Sequence, residues 1–306
     1  MSALCGHVED YLRLRRALGY KLERAGHLLP KLVAYVEAAG STTLTAELAV
    51  SWARLPATAR PNHWAARLAV ARGFARYLQT VEAATEVPPA GVFPTRRHRP
   101  TPYLWSEGDI GELLEGARAL PSPLRAATYE ALFGLLAVSG IRVGEACGLD
   151  RDDVDFPTGV ITIRHAKFDR TRLVPLHATT TTALEAYGTE RDLLCPTPRS
   201  AAFFVSKAGT RLNRSDVAKT LRQIATDMGL RNSTLRPTPH TLRHSFAVRT
   251  LIDWQQSAVS VDEHIATLST YLGHVAPADT YWYLSASPEL MALAAERLDA
   301  RFGARP

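Results

Sequence analysis

Residues 88–102, PPAGVFPTRRHRPTP, constrain this chain more than any other stretch. Five of them are proline, which fixes φ and removes a backbone donor, so neither a helix interior nor a central strand can run through them. One glycine and three arginines complete the pattern of a linker. The 306 residues therefore divide into a first part, 1–87, a Pro/Arg-rich connection, 88–103, and a second part, 104–306. Two domains also fit a prior of about 150 residues each.

Both parts read as mainly helical. In the first, Tyr11, Leu12, Leu14, Ala17 and Leu18 recur near a helical period, with Gly19 as a stop. Leu28, Leu32, Val33, Tyr35 and Val36 form a second stripe, interrupted by Pro30. Leu44, Thr45 and Glu47 mark a third start. Trp64, Leu68, Phe74 and Leu78 carry a fourth helix, flanked by Arg60, Arg67, Arg72 and Arg76. In the second part Ser106 caps a helix bearing Ile110, Leu113 and Leu114, and a buried helix follows around 126–138. Residues 160–163 and 173–176 read as strands across a polar turn, with 203–206 as a third. Beyond Ser215 the pattern is helical again, and Ser287-Pro288-Glu289 opens a last helix. Its Leu290, Leu293, Ala294, Leu298 and Phe302 share one face, which can pack on its own domain or on a neighbouring subunit. The fold class expected is α+β, mainly α: a four-helix N-terminal domain, then a mostly helical domain with a small antiparallel sheet.

Composition narrows the class. With 46% hydrophobic and 22% charged residues, extended disorder, collagen and coiled coil are excluded. No apolar run approaches the ~20 residues a membrane helix needs. The N-terminus MSALCGHVEDYLRLRR lacks a basic-then-apolar leader, so a cytoplasmic protein is expected. Cys5, Cys147 and Cys195 form no CxxC, which argues against a zinc ribbon or a disulfide scaffold.

Charge is unevenly spread. Lys and Arg number 36 against 30 Asp and Glu, for a net +6. Residues 1–103 hold 14 basic and 7 acidic side chains, and 164–249 hold 15 and 6. The stretches 104–163 and 250–306 are acidic. Two basic blocks suggest a polyanion gripped at two places, although solvated helix faces would give the same count.

Four spots carry candidate chemistry. The first is Ser139-Gly-Ile-Arg142-Val-Gly-Glu145, an arginine leaving a tight turn into a helix. The second is Lys167, in the turn of ITIRHAKFDRTRLVPL. The third is His240-Thr-Leu-Arg243-His244, and the fourth Leu272-Gly-His274, with Tyr283 nine residues later. His240 and His244 have metal-ligand spacing, but Thr241 stands where a zincin has Glu and no third ligand is evident. No metal and no cofactor are therefore expected.

The ordered set Arg, Lys, HxxR, His, Tyr resembles the tyrosine recombinase (phage integrase) family, in particular its simple two-domain members of the Xer and transposon-encoded type. The resemblance covers the whole chain. It implies a core-binding domain over 1–87 and a catalytic domain over 104–306. It implies Arg142, Lys167, His240, Arg243 and His274 as catalytic residues and Tyr283 as the nucleophile, with Glu145 holding an arginine behind them. Tyr281 is excluded by its spacing, since it lies only seven residues after His274. On a helix it would also point about 200° away from Tyr283. The arginines expected along the DNA backbone are Arg67, Arg72, Arg76, Arg96, Arg97, Arg99 and Arg172.

The implied activity is site-specific recombination through a 3′-phosphotyrosine. The implied partner is double-stranded DNA held in a C-shaped clamp. The active form would be a homo-tetramer on two DNA sites, monomeric or weakly associated when free, and without membrane attachment. The start of the chain at the core-binding domain implies a recombinase without an arm-binding domain. Two alternatives remain at this point: a type IB topoisomerase-like enzyme that relaxes DNA, and a non-catalytic DNA-binding protein.

Overall fold

The computed structural model describes residues 3–94, 102–164, 171–232, 235–257, 259–274, 276, 278–285, 290–292 and 295–296. Two compact units emerge, 1–99 and 100–306.

The first unit contains four helices: α1 (Ala3–Ala17), α2 (Glu23–Ala38), α3 (Ala46–Arg54) and α4 (Pro61–Leu78). Their apolar stripes meet in one core that includes Tyr11, Leu29, Leu32, Val36, Trp52, Phe74 and Leu78. Thr45 caps α3 by accepting from the Leu48 amide at 3.2 Å. Pro30 does not end its helix; it lies inside α2, between the buried Leu29 and Leu32. Tertiary burial there outweighs the lost backbone bond.

Two expectations change in this unit. Arg67 is not a surface contact: it is 8% exposed, donates from Nη2 to the Trp52 carbonyl at 2.9 Å, and its guanidinium stacks 3.9 Å from the Trp52 ring centre. It lies on the buried side of α4, with Leu68, Ala71 and Phe74, whereas Arg76 stays exposed. The proline-rich stretch is also not free from its start. Phe93 is buried in this core against Trp64, and Val92 packs beside it. Arg96, Arg97 and Arg99 lie outside the described residues.

The second unit runs α5 (Glu107–Arg118), α6 (Pro123–Ser139), α7 (Val143–Gly148), β1 (Val154–Asp155), β2 (Val160–Ile163), β3 (Arg172–Pro175), α8 (Ala178–Leu194), α9 (Arg214–Asp227), α10 (Pro239–Gln256), α11 (Val261–Leu272) and α12 (Ala278–Tyr281), then a 3-10 turn (Trp282–Ser285). Ser106 and Asp109 form a capping box on α5. The sheet is antiparallel in the order β1-β2-β3, with Ile161 opposite Val174 and both fully buried. The segment 203–206 is not a strand of this sheet. It makes one isolated bridge, Val205 to Arg211, with a second, Asp150 to Ala202, just before it, while the third strand is β1. Phe203 and Phe204 are instead gathered into a ring cluster with Tyr187, and ring packing replaces ladder pairing.

Helix α6 is central. Leu132, Phe133, Leu135 and Leu136 are buried, and α5, α8 and α10 pack around it. Trp105 fixes α10: its amide donates to Ser245 Oγ at 2.7 Å and its indole to Thr241 Oγ1 at 2.8 Å. A second cluster joins α10 and α11 through Val248, Leu251, Ile265, Leu268 and Leu272 to Tyr283 and Leu290. Most of the last helix expected from the sequence, including Leu293, Ala294, Leu298 and Phe302, lies outside the residues whose placement is described. No helix among the described residues is long and apolar enough to cross a membrane.

The buried position of Arg67 makes a specific prediction. Arg67→Ala removes a charge-assisted bond and a stacked cation from the core, and should lower the stability of the first unit by about 2–4 kcal/mol. Thermal and denaturant unfolding would measure it. An unshifted midpoint would contradict the assignment.

Candidate active site

The site is assembled at two glycine turns and one helix start. The first is Gly140, which ends α6 with φ 60°. A Cβ there would sit 2.4 Å from the Phe246 ring, so glycine alone makes this turn. Two residues later comes Arg142, directly ahead of α7. Glu145 reaches back and accepts from the Arg142 amide at 2.8 Å and from its Nη1 at 2.8 Å.

The second is the start of α10. Thr238 caps it and Pro239 occupies its first turn, so His240 and Arg243 lie near the helix N-terminus. Unbonded N–H groups and the helix dipole favour an anion at such an end. Arg243 is 1% exposed. It donates from Nη1 to the Gly140 carbonyl at 2.8 Å and from Nη2 to Leu272 at 2.7 Å.

The third is the end of α11 at Gly273, φ 67°. The amides of Gly273 and His274 turn back to Thr270 and Ser269. The last two carbonyls of α11 and that of Gly273 then accept from three different arginines. Arg172 Nε bonds Tyr271 at 3.2 Å, Arg243 bonds Leu272, and Arg142 Nη2 bonds Gly273 at 2.8 Å. A Cβ on Gly273 would lie 2.7 Å from Arg172 Nη1.

The aromatic groups close around this frame. Tyr283 is 2% exposed, whereas Tyr281 is 48% exposed. The His274 and Tyr283 rings stack at 6.0 Å between centres. His244 meets Tyr283 at 5.3 Å and His240 at 4.4 Å. His274 Nδ1 contacts Thr280 Oγ1 at 2.7 Å, which sets the ring and leaves Nε2 as its other nitrogen.

The electrostatics follow from this crowding. Burial pushes the Arg243 guanidinium down, as does neighbouring Arg142, while Tyr283 and Glu145 pull it back, to about 10. Burial pushes the Glu145 carboxyl up, but its bonds to Arg172 and Arg142 prevail and bring it to about 2. Withdrawal from water, then the charges of Arg243 and Arg142, lower His274 to about 4 and move His240 in the same direction. Among the described residues the site therefore brings arginine cations, the Glu145 carboxylate and the neutral imidazoles of His240 and His274 together near neutral pH.

The comparisons with known proteins agree. Residues 107–289 match the phage integrase family. A putative integrase/recombinase of Sinorhizobium fredii is 42% identical over 99% of both chains. The tyrosine recombinase XerC of Azotobacter vinelandii is 32% identical over 71% of this chain and 67% of its own.

The chain belongs to the phage integrase family of tyrosine recombinases. It is a tyrosine-type site-specific recombinase, and neither a topoisomerase nor a non-catalytic binder is favoured. Its fold matches that of the Tn1549 transposon integrase in complex with transposon right end DNA, at a TM-score of 0.64, with 15% identity over 99% of this chain and 100% of that one.

In this recombinase, tertiary structure brings Arg142, Glu145, His240, Arg243, His274 and Tyr283 together. Lys167 lies between β2 and β3, outside the described residues. Arg172 corrects the sequence reading. Instead of facing DNA, it forms a fork with Glu145, Nη1 to Oε1 at 3.0 Å and Nη2 to Oε2 at 2.8 Å, with a side chain 12% exposed. Its position at the foot of the hairpin turns it toward α7 and α11 rather than outward. Sequence reasoning also missed Thr280, fully buried and bonded to His274, because an isolated threonine carries no periodic or motif signal.

The depressed histidines have a signed consequence. Folded His274 binds a proton only near pH 4, whereas the ordinary value is 6.5. As pH falls below 6.5 the unfolded chain takes up more protons, so stability declines until about pH 4. NMR titration should find the His274 imidazole neutral through this window, and His274→Gln should flatten the decline. A His274 titrating at 6.5 or above would contradict the geometry.

Proposed function

We propose that this recombinase cuts and rejoins duplex DNA through a covalent 3′-phosphate ester of Tyr283. The observation that carries the reading is the enclosure of the Tyr283 ring by His274 and His244, beside the guanidinium of Arg243. In this reading the Tyr283 hydroxyl attacks the scissile phosphorus in line. Its proton passes to a neutral imidazole, His240 or His274. Arg142 and Arg243 retain N–H donors beyond those bonded to backbone, and these neutralise the non-bridging oxygens as charge builds. The P–O5′ bond breaks, and Lys167 protonates the departing 5′-oxygen. The ester conserves the bond, so attack by a 5′-hydroxyl reverses the step without nucleotide hydrolysis. The hydroxyl is covered in the free chain, so DNA binding must open the tyrosine segment or bring the phosphate inside it.

The basic blocks and the DNA-bound transposon integrase of like fold support duplex DNA as the partner. Arg72, Arg76, Arg96, Arg97 and Arg99 are the proposed backbone contacts. Joining two sites requires two strand cleavages on each, hence four tyrosines. That arithmetic supports four copies of the chain on two DNA sites.

A nicked suicide duplex tests the chemistry. The wild-type protein should form a covalent adduct on a denaturing gel, with or without EDTA. Tyr283→Phe should abolish it and Tyr281→Phe should not; the reverse pattern would sink the assignment. Lys167→Ala should slow cleavage by about 10²–10⁴-fold. A 5′-bridging sulfur, whose leaving thiolate needs no proton, should restore the rate. Without that rescue, Lys167 is not the acid.

A further inference from the structure

Arg172 is engaged on every nitrogen. Its fork meets both oxygens of Glu145, and Nε meets the Tyr271 carbonyl. Glu145 in turn touches Arg142 from the side, one oxygen to the amide and one to Nη1. Arg142 then bonds Gly273, two residues after Tyr271. These contacts close a ring through β3, α7 and the end of α11. Within it two guanidiniums share one carboxylate, and they share it unequally. Arg172 holds the fork position with its side chain 12% exposed, while the Arg142 side chain is 36% exposed.

The inequality has a chemical consequence. A carboxylate paired with an arginine prefers the bidentate fork. If Arg172 did not occupy it, Arg142 would be drawn into it, losing donors and net charge toward a phosphate. We propose that Arg172 is a positioning residue of this active site: by holding both oxygens of Glu145 and the last turn of α11, it keeps the Arg142 guanidinium free for the scissile phosphate. This inference rests on the recombinase reading of Arg142 and Tyr283 and adds a residue that touches no reacting atom. It replaces the expectation that Arg172 grips DNA.

The test uses single-turnover adduct formation on the suicide duplex at saturating DNA, with affinity measured across a salt series. Wild-type adduct formation carries the parent reading, so its failure would strike that reading and not the role of Arg172. With the wild type active, Arg172→Ala should slow cleavage by about 10²-fold, the scale of a misplaced catalytic group. Affinity and its salt slope should be unchanged. Arg172→Lys should be slow as well, because one ammonium cannot hold both oxygens. The deciding variant is the double change Arg172→Ala with Glu145→Gln. A neutral amide cannot capture Arg142 strongly, so the double variant should cleave faster than Arg172→Ala alone. Should Arg172→Ala fail to fold, Arg172→Lys with and without Glu145→Gln gives the same comparison. A double variant no faster than the single would overturn the proposal. So would normal cleavage at saturating DNA with weakened affinity and a salt slope lower by about one, the signature of a lost phosphate contact.

Discussion

Three guanidiniums meet the last two carbonyls of α11 and that of Gly273, which ends it, and the rest of the site is arranged around that contact. A helix ends with carbonyls that have no intrahelical partner and carries partial negative charge there. In this protein Arg172, Arg243 and Arg142 take Tyr271, Leu272 and Gly273 in order. The arginines come from β3, α10 and the turn before α7, so one helix end orients three elements at once. Both flanking turns demand glycine. Gly140 leaves room for Phe246, and Gly273 leaves room for Arg172.

The same crowding gives the site its charge balance. Arg142, Arg172 and Arg243 gather around the Glu145 carboxylate, with Asp279 acting more weakly on His274, so among the described residues cations outnumber carboxylates at the site. That field and the loss of water keep His274 and His240 neutral. It thus serves two ends, attracting a phosphate and leaving imidazoles able to accept a proton. In the proposed reaction an arriving phosphate would weaken the field and raise the histidines, favouring proton uptake there. Glu145 keeps its charge far into acid, so the arrangement does not depend on pH near neutrality.

The surrounding fold serves to hold this geometry. Helix α6 is buried around most of its circumference, which fixes the Gly140 turn. Trp105 bonds two hydroxyls on one face of α10, four residues apart, while Arg243 bonds Gly140 and Leu272. The cluster of α10 and α11 extends to Tyr283, so the proposed nucleophile is held by the same packing that sets the arginines.

Much of this was legible from the chain alone. The 3.6-residue period marked the helices, the order from Arg142 to Tyr283 marked the family and the proposed catalytic set, and the nine-residue step picked the buried Tyr283 over the exposed Tyr281. These are local or ordered properties, and a linear reading can hold them. Pro30, Arg67, Arg172 and residues 203–206 were different. Proline predicts a break unless neighbours bury the helix, and arginine predicts surface unless a ring or a carboxylate waits inside. Aromatic β-formers predict a strand unless their rings find each other first. In each case the deciding partner, Trp52 for Arg67 or Glu145 for Arg172, lies far enough along the chain that only packing makes the contact. The sequence by itself determined which chemistry the chain carries and in what order. Tertiary structure decided which arginines are free to use it, because a guanidinium's role is set by whatever its donors meet.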